Sequence, residues 1–276
     1  MRAYISVDLE GMPFIVSPEH LVLKGVLFNE ARKIMTKITV FVAETLNKLG
    51  FDEVFIADSH GSMVTIDVDN LPDYIYVIRG WPRPMSMVVG IERADVAIFL
   101  GYHAKAGISK ATFDHTFSSA KVDRIEVNSI EVSEYLFNAY IAGHFGVPVI
   151  LVAGDKALIE GDVAKYTPWV EKVVFKESLS RYSCISPSLS RILKDLEKSL
   201  KNAVEMFKKG NMLPIKSSYP MEIKVRFLST EMADAAELLP IVERLDGKTI
   251  KFMAKDAVDA VKILELILLA NPKPQT

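Results

Sequence analysis

Cysteine is almost missing from this chain. Cys184 stands alone among 276 residues, which excludes an intrachain disulfide and any zinc site built on thiolates. A buried, inert thiol is the expectation for it. Long hydrophobic runs are missing too: charge interrupts every apolar stretch well before the roughly 18 residues that a membrane-spanning helix needs. Charge of one sign is nowhere concentrated. The formal net charge is −2 and no basic run is longer than Lys208-Lys209, so the chain carries no electrostatic footprint for nucleic acid or anionic lipid. There is no Gly-x-Ser-x-Gly elbow, no Gly-x-Gly-x-x-Gly turn and no Walker phosphate loop. No apolar signal region precedes Met1-Arg2-Ala3-Tyr4, which enters a strand at once, and cytoplasmic residence is the expectation. These absences leave small-molecule or peptide chemistry, with a metal-activated water as the strongest candidate nucleophile.

What is present reads as a globular enzyme. Half the residues are hydrophobic and a quarter charged, and the length fits one large domain or a main domain with a smaller companion. Strand patterns at residues 2–7, 54–57, 74–78 and 96–100 alternate with helical spacing over 29–49 and a short helix over 85–93. A further helix at 133–145 ends at Gly146 and leads into the continuous apolar run 147–153, which suits a central strand covered on both faces. The fold class is therefore α/β, with a largely parallel sheet covered by helices over residues 1–186. Beyond it, 187–276 reads as a smaller C-terminal α+β domain, with an amphipathic helix over 190–209, strands at 221–228 and 249–254, and helices at 231–239 and 257–270. The Pro-containing tail 271–276 is expected to fray.

Three apolar runs end in residues of metal-ligand type. The first leads into Asp8 and Glu10, the second into Asp58 and His60, the third into His103. If the runs are neighbouring parallel strands, Asp8, Glu10, His60 and His103 converge at one crevice, and carboxylates mixed with imidazoles suit a zinc-type hydrolytic centre. In the ligand reading of His60, Asp58 is its outer acceptor; each residue has a bland alternative, a helix-capping or ion-paired carboxylate for Asp8 and Glu10, a loop histidine with an Asx-turn for His60, and a core imidazole bonded to a carbonyl for His103. His115, twelve residues beyond His103, fits either a general acid or base carried by a loop or an ordinary surface residue. Glu131 and Glu134 lie three apart near a helix start, and spacing alone does not choose between them as ligands or solvated first-turn acids. His20 and His144 are assigned to structure or surface.

Taken together, Ser6-Val7-Asp8-Leu9-Glu10-Gly11, Asp58-Ser59-His60, Gly101-Tyr102-His103-Ala104, His115-Thr116, Asn138-Ala139-Tyr140 and Ala153-Gly154-Asp155 resemble the zinc-dependent D-aminopeptidase family, across most of the chain. That resemblance implies two Zn2+ ions per subunit, with Asp8 bridging them, Glu10 and His60 completing one site, and His103 and Glu134 the other. It selects Glu134 over Glu131 by the spacing to Asn138-Ala139-Tyr140, and makes His115 the catalytic residue. It further implies short peptide substrates with an N-terminal D-residue and a homodecamer with its active sites facing an internal channel. Three departures lie near substrate-facing loops: Ser133 where the family has glycine, the bulky Met12-Pro13-Phe14, and a loop at 107–114 one residue longer. The rivals are another two-metal hydrolase, an amidase or a phosphoesterase served by Arg79, Lys105 or Lys110, and a non-catalytic binding or assembly protein on the same scaffold.

Overall fold

The computed structural model describes residues 1–270; the tail expected to fray lies outside the described residues. In chain order the strands are β1 (Arg2–Val7), β2 (Glu53–Asp58), β3 (Ile75–Ile78), β4 (Val96–Tyr102), β5 (Val122–Val127), β6 (Ile130–Glu131), β7 (Val149–Asp155), β8 (Glu171–Ser180), β9 (Ser183–Ile185), β10 (Met221–Phe227), β11 (Val242–Arg244) and β12 (Thr249–Ala254). The helices are α1 (Phe28–Lys48), α2 (Glu134–His144), α3 (Lys156–Leu158), which runs through a π turn into α4 (Ala164–Tyr166), then α5 (Leu189–Lys208), α6 (Thr230–Glu237) and α7 (Ala257–Ala270).

One seven-stranded sheet has the order β3-β2-β1-β4-β7-β8-β9, parallel throughout except for the last, antiparallel pair. Its central strands β4 and β7 are buried at every residue, as strands covered on both faces must be. On one face α1 and α5 lay down Ala31, Met35, Ile38, Leu196 and Leu200 against Ile5, Val7 and Ile98. The other face meets α2, α7 and a second, antiparallel sheet of order β11-β12-β10-β5-β6. That second sheet takes β5 and β6 from before residue 187 and β10 to β12 from after it, while α5, also beyond 187, packs on β7, β8 and α1. The boundary between the two sheets therefore does not follow the chain at 186/187.

Two expectations differ from what is observed. Residues 85–93 form two 3-10 turns, Ser86–Val88 and Ile91–Arg93, instead of one helix, because Met85, Ser86 and Gly90 have φ of 65°, 47° and 90°, which no α-helix accommodates. Cys184 is half-buried instead of buried, since β9 is the sheet's edge; its Sγ lies 3.6 Å from Ser186 Oγ.

The sheet order reverses direction around β1: the chain steps to β2 and β3 on one side and returns to β4 on the other. A crevice opens at the carboxyl ends of the strands at such a switch point. Val7 pairs level with Asp58 on one side and with Leu100 on the other, so the three strands stop at nearly the same height. The turn beyond β1 is wedged against the end of β4. A Cβ on Gly11 would lie 2.0 Å from Tyr102 O, and one on Gly101 2.0 Å from Asp8 O. Gly11 N–H donates to Gly101 O at 2.7 Å across this contact. Gly11→Ala is expected to lower stability by about 1–3 kcal/mol, as overpacking does. Gly161→Ala, where a Cβ meets open space, should stay within about 0.5 kcal/mol of the parent. Urea midpoints of the two variants check this.

Candidate metal centre

Six side chains collect where β1, β2, β4 and α2 end or begin. Asp8 and Glu10 follow β1, His60 follows β2, His103 follows β4, Glu134 opens α2 and His115 comes from the loop 105–117. Glu134 owes its place to Ser133, whose side chain accepts from Leu136 N–H at 3.3 Å and N-caps α2, so that the first helical residue points at the crevice. Glu131 lies on β6 and takes no part. All of the six but His115, which is half-buried, are buried.

Each imidazole is oriented by a backbone carbonyl on the side away from the carboxylates. His60 Nε2 lies 2.8 Å from Leu21 O, leaving Nδ1 at 2.9 Å from Glu10 Oε2 and 3.7 Å from Asp8 Oδ1. His103 Nδ1 lies 2.9 Å from Ala104 O, leaving Nε2 at 3.5 Å from Asp8 Oδ2 and 3.7 Å from Glu134 Oε2. His115 Nδ1 lies 2.8 Å from Phe113 O, with Nε2 3.4 Å from Glu134 Oε1 and the ring stacked on His103 at 4.2 Å. Carbonyl acceptors of this kind fix the tautomer and present the opposite nitrogen as a lone pair, which is how ligating histidines are held. The expected role of Asp58 as acceptor behind His60 is not what the structure shows: its Oδ2 accepts from Ile66 N–H at 2.6 Å, and Leu21 O serves His60 instead.

Asp8 occupies the centre. Its Oδ1 accepts from Leu9 N–H at 2.9 Å and faces His60, while Oδ2 faces His103. Asp8 Oδ2 and His103 Nε2 are buried polar atoms without a hydrogen-bond partner, a costly condition unless a cation sits between such groups. Ligand atoms of Asp8, Glu10 and His103 fall within 4.8 Å of one another, as do those of His103, His115 and Glu134. Buried carboxylates mixed with imidazoles in this way suit a hard or borderline divalent ion such as zinc.

The electrostatics carry the same signature. Burial, and then the charge of Glu10, push the Asp8 carboxyl well above the usual carboxylate range. Burial acts on Glu10 in the same sense, but the adjoining His60 outweighs it and holds that carboxyl well below. Burial would lower His60, yet Glu10 and Asp8 raise it well above a free imidazole, while burial and the neighbouring His115 depress His103. Three carboxylates in one desolvated space lack positive charge, and a divalent cation supplies it while displacing the protons.

Several supporting residues carry no sequence motif. Lys176, fully buried on β8 with its ammonium pushed down to about 8 by desolvation, donates to Glu10 O at 2.5 Å and Ile15 O at 2.8 Å and so pins the turn that carries Glu10. Phe113 and Phe117 hold φ of 53° and 61° on either side of His115, and Phe117 N–H donates to Glu134 Oε1 at 2.6 Å. Left-handed backbone at bulky residues costs about 1–3 kcal/mol each and persists where the surroundings fix it. Below the cluster, Tyr102 OH bonds Ser6 Oγ at 2.7 Å and Asn138 Nδ2 at 3.2 Å.

The cluster opens into a cleft of about 520 Å³ whose other walls include Met63, Trp81, Phe117, Lys121, Glu265 and Leu268. Arg79, Lys105 and Lys110, the cations a phosphoesterase would have used, do not line it; Lys105 is paired with Asp162 at 2.8 Å. The stretches 12–24 and 105–114 do not line it either, although Leu21 reaches His60 from the first. His20 is buried and accepts from Ser17 N–H at 3.1 Å, and His144 is exposed beside Tyr219, so neither joins the cluster. Zinc titrated into the chelator-treated protein is expected to raise its melting temperature, as a ligand of the native state must, and Asp8→Ala to abolish the rise; an unchanged rise in that variant refutes the shared site.

Comparisons with known proteins identify the family. The family model described as D-aminopeptidase matches residues 1–266. The chain is 30% identical over 270 residues to the D-aminopeptidase of Bacillus subtilis (strain 168), covering 96% of this chain and 95% of that one. The solved structure of the Zn-dependent D-aminopeptidase DppA from Bacillus subtilis, a self-compartmentalizing protease, superposes with a TM-score of 0.92 at 28% identity, over 98% of this chain and 97% of that one. The chain therefore belongs to the D-aminopeptidase family.

Proposed function

We propose that this chain is a dinuclear zinc aminopeptidase that removes the N-terminal residue, preferentially a D-residue, from short peptides or amides. The observation that carries the reading is the Asp8 carboxylate, whose two oxygens face different imidazole nitrogens, His60 Nδ1 and His103 Nε2. Asp8 would be shared by the two ions, with Glu10 and His60 holding one and His103 and Glu134 the other. Family membership and the Zn-dependence of DppA support the metal and the reaction. Zinc bound there supplies Lewis acidity, acidifying water and polarising a carbonyl.

The chain's own groups position the rest. With Nδ1–H donated to Phe113 O, His115 keeps the Nε2 lone pair toward the cleft, where it can accept the proton released by the attacking water and pass it to the departing amine nitrogen. A cleft of about 520 Å³ is of the size that takes one small ligand, which favours short substrates. Its lining carries a single cation, Lys121, already engaged with Leu268 O at 2.6 Å, so a phosphoester finds little to hold it. Homo-oligomerisation into a decamer fits the exposed apolar groups of the β8–β9 hairpin, Leu179, Tyr182 and Ile185, and of the loop bearing Val22, Leu23 and Val26. DppA is described as self-compartmentalizing, which supports the same assembly. No helix among the described residues is long and apolar enough to cross a membrane, which is compatible with the cytoplasmic location proposed.

D-alanyl and L-alanyl p-nitroanilides tested beside p-nitrophenyl phosphate should show zinc-dependent turnover of the D-amide above the L-amide and none of the phosphoester. Preferred phosphoester cleavage contradicts the proposal. For His115→Ala the expectation is unchanged zinc content with turnover reduced about a hundredfold or more. Loss of one zinc in that variant would instead make His115 a ligand, a reading favoured by the closeness of its nitrogen to His103 and Glu134.

A further inference from the structure

Apart from the three carboxylates of the cluster, one acid among the described residues lines the cleft, Glu265. It comes from α7, at the far end of the chain, within the apolar run Ile263-Leu264-Glu265-Leu266-Ile267-Leu268-Leu269. A carboxylate gains nothing from packing there: burial raises its pKa, and it is held by the side chains of Ser86 and Trp81. Among the described residues it has no ion-pair partner. The guanidinium nearest in its electrostatics, Arg83, is spent on backbone carbonyls, at 2.7 Å from Ser86 O and 2.8 Å from Asp58 O. Glu265 is thus an acid presented to the cleft without an ion-pair partner among the described residues, beside Trp81, which also lines the cleft.

A substrate of an aminopeptidase brings one feature that an internal peptide bond lacks, a free α-ammonium. With the metal-cluster carboxylates reserved for cations, a further acid lining the same cleft is placed to recognise that group. We propose that Glu265 is that acid, a specificity residue that binds the substrate α-ammonium with Trp81 beside it. The inference rests on the aminopeptidase reading above, and it assigns to α7 a part in choosing substrates with unblocked amino termini.

The test is binding of D-alaninamide, compared with propanamide, which has the same amide and no amine, by calorimetry on the zinc-loaded protein. The parent should prefer the amine, and Glu265→Gln, which keeps shape and loses charge, should weaken D-alaninamide by about tenfold and leave propanamide and zinc content unaltered. Glu265→Asp should retain most of the preference. In turnover of D-alanyl p-nitroanilide the Gln variant should raise KM more than it lowers kcat. A parent without amine preference, or a Gln variant that keeps it, overturns the assignment. Zinc-dependent amide hydrolysis that persists with such a result leaves the aminopeptidase reading standing, whereas amine binding through Glu265 without any hydrolysis fails that reading alone.

Discussion

The Asp8 carboxylate is the constraint on which the rest of the site depends. It is buried, accepts one backbone hydrogen bond, and turns its two oxygens toward histidines contributed by different strands. A buried carboxylate with an orphaned oxygen destabilises a fold by several kcal/mol unless positive charge offsets it. In this molecule His103 Nε2 faces that oxygen at 3.5 Å and His60 faces the other, with Glu10 and Glu134 close by, a set of groups that a bound cation would stabilise. Binding energy and folding energy are coupled at such a cluster.

The sheet delivers these groups with little freedom. β1 lies between β2 and β4, and their registers bring the three strand ends level, so Asp8, His60 and His103 leave the sheet within reach of one another. The close approach of Gly11 and Gly101 sets the depth of the first turn, and Lys176 holds its carbonyls from below. Leu21, Ala104 and Phe113 each offer a carbonyl to the distal nitrogen of one histidine, which turns the proximal nitrogen toward the carboxylates, where it can ligate or transfer a proton. α7 then walls the cleft with Glu265, Leu268 and Leu269, so that the last helix of the described chain completes a site begun by its first strand.

What could be read from sequence was whatever one strand or one helix encodes locally. Apolar runs ending in Asp8, His60 and His103 are legible because parallel strands place their carboxyl ends together. Glu134 and Glu131 are not separable by spacing; the Ser133 cap that orients Glu134 becomes decisive only once the helix start is fixed. The setting of His115 was hidden, since it depends on left-handed φ at two phenylalanines, which no local preference foretells. β5 and β8 escaped notice because charges interrupt their apolar pattern, as in Val122-Asp123-Arg124-Ile125, where the second sheet buries only one face. Glu265 is a single charge within an apolar segment and Lys176 one of several on β8, its partner Glu10 O lying 166 residues away. Long-range packing alone gives them meaning.

The central claim is that two divalent ions share the Asp8 carboxylate. Anomalous diffraction at the zinc edge from crystals of the zinc-loaded protein tests it most directly. The account predicts two peaks flanking Asp8, one within bonding distance of Glu10 and His60 and the other of His103 and Glu134. A single peak, or peaks lying away from Asp8, would contradict it.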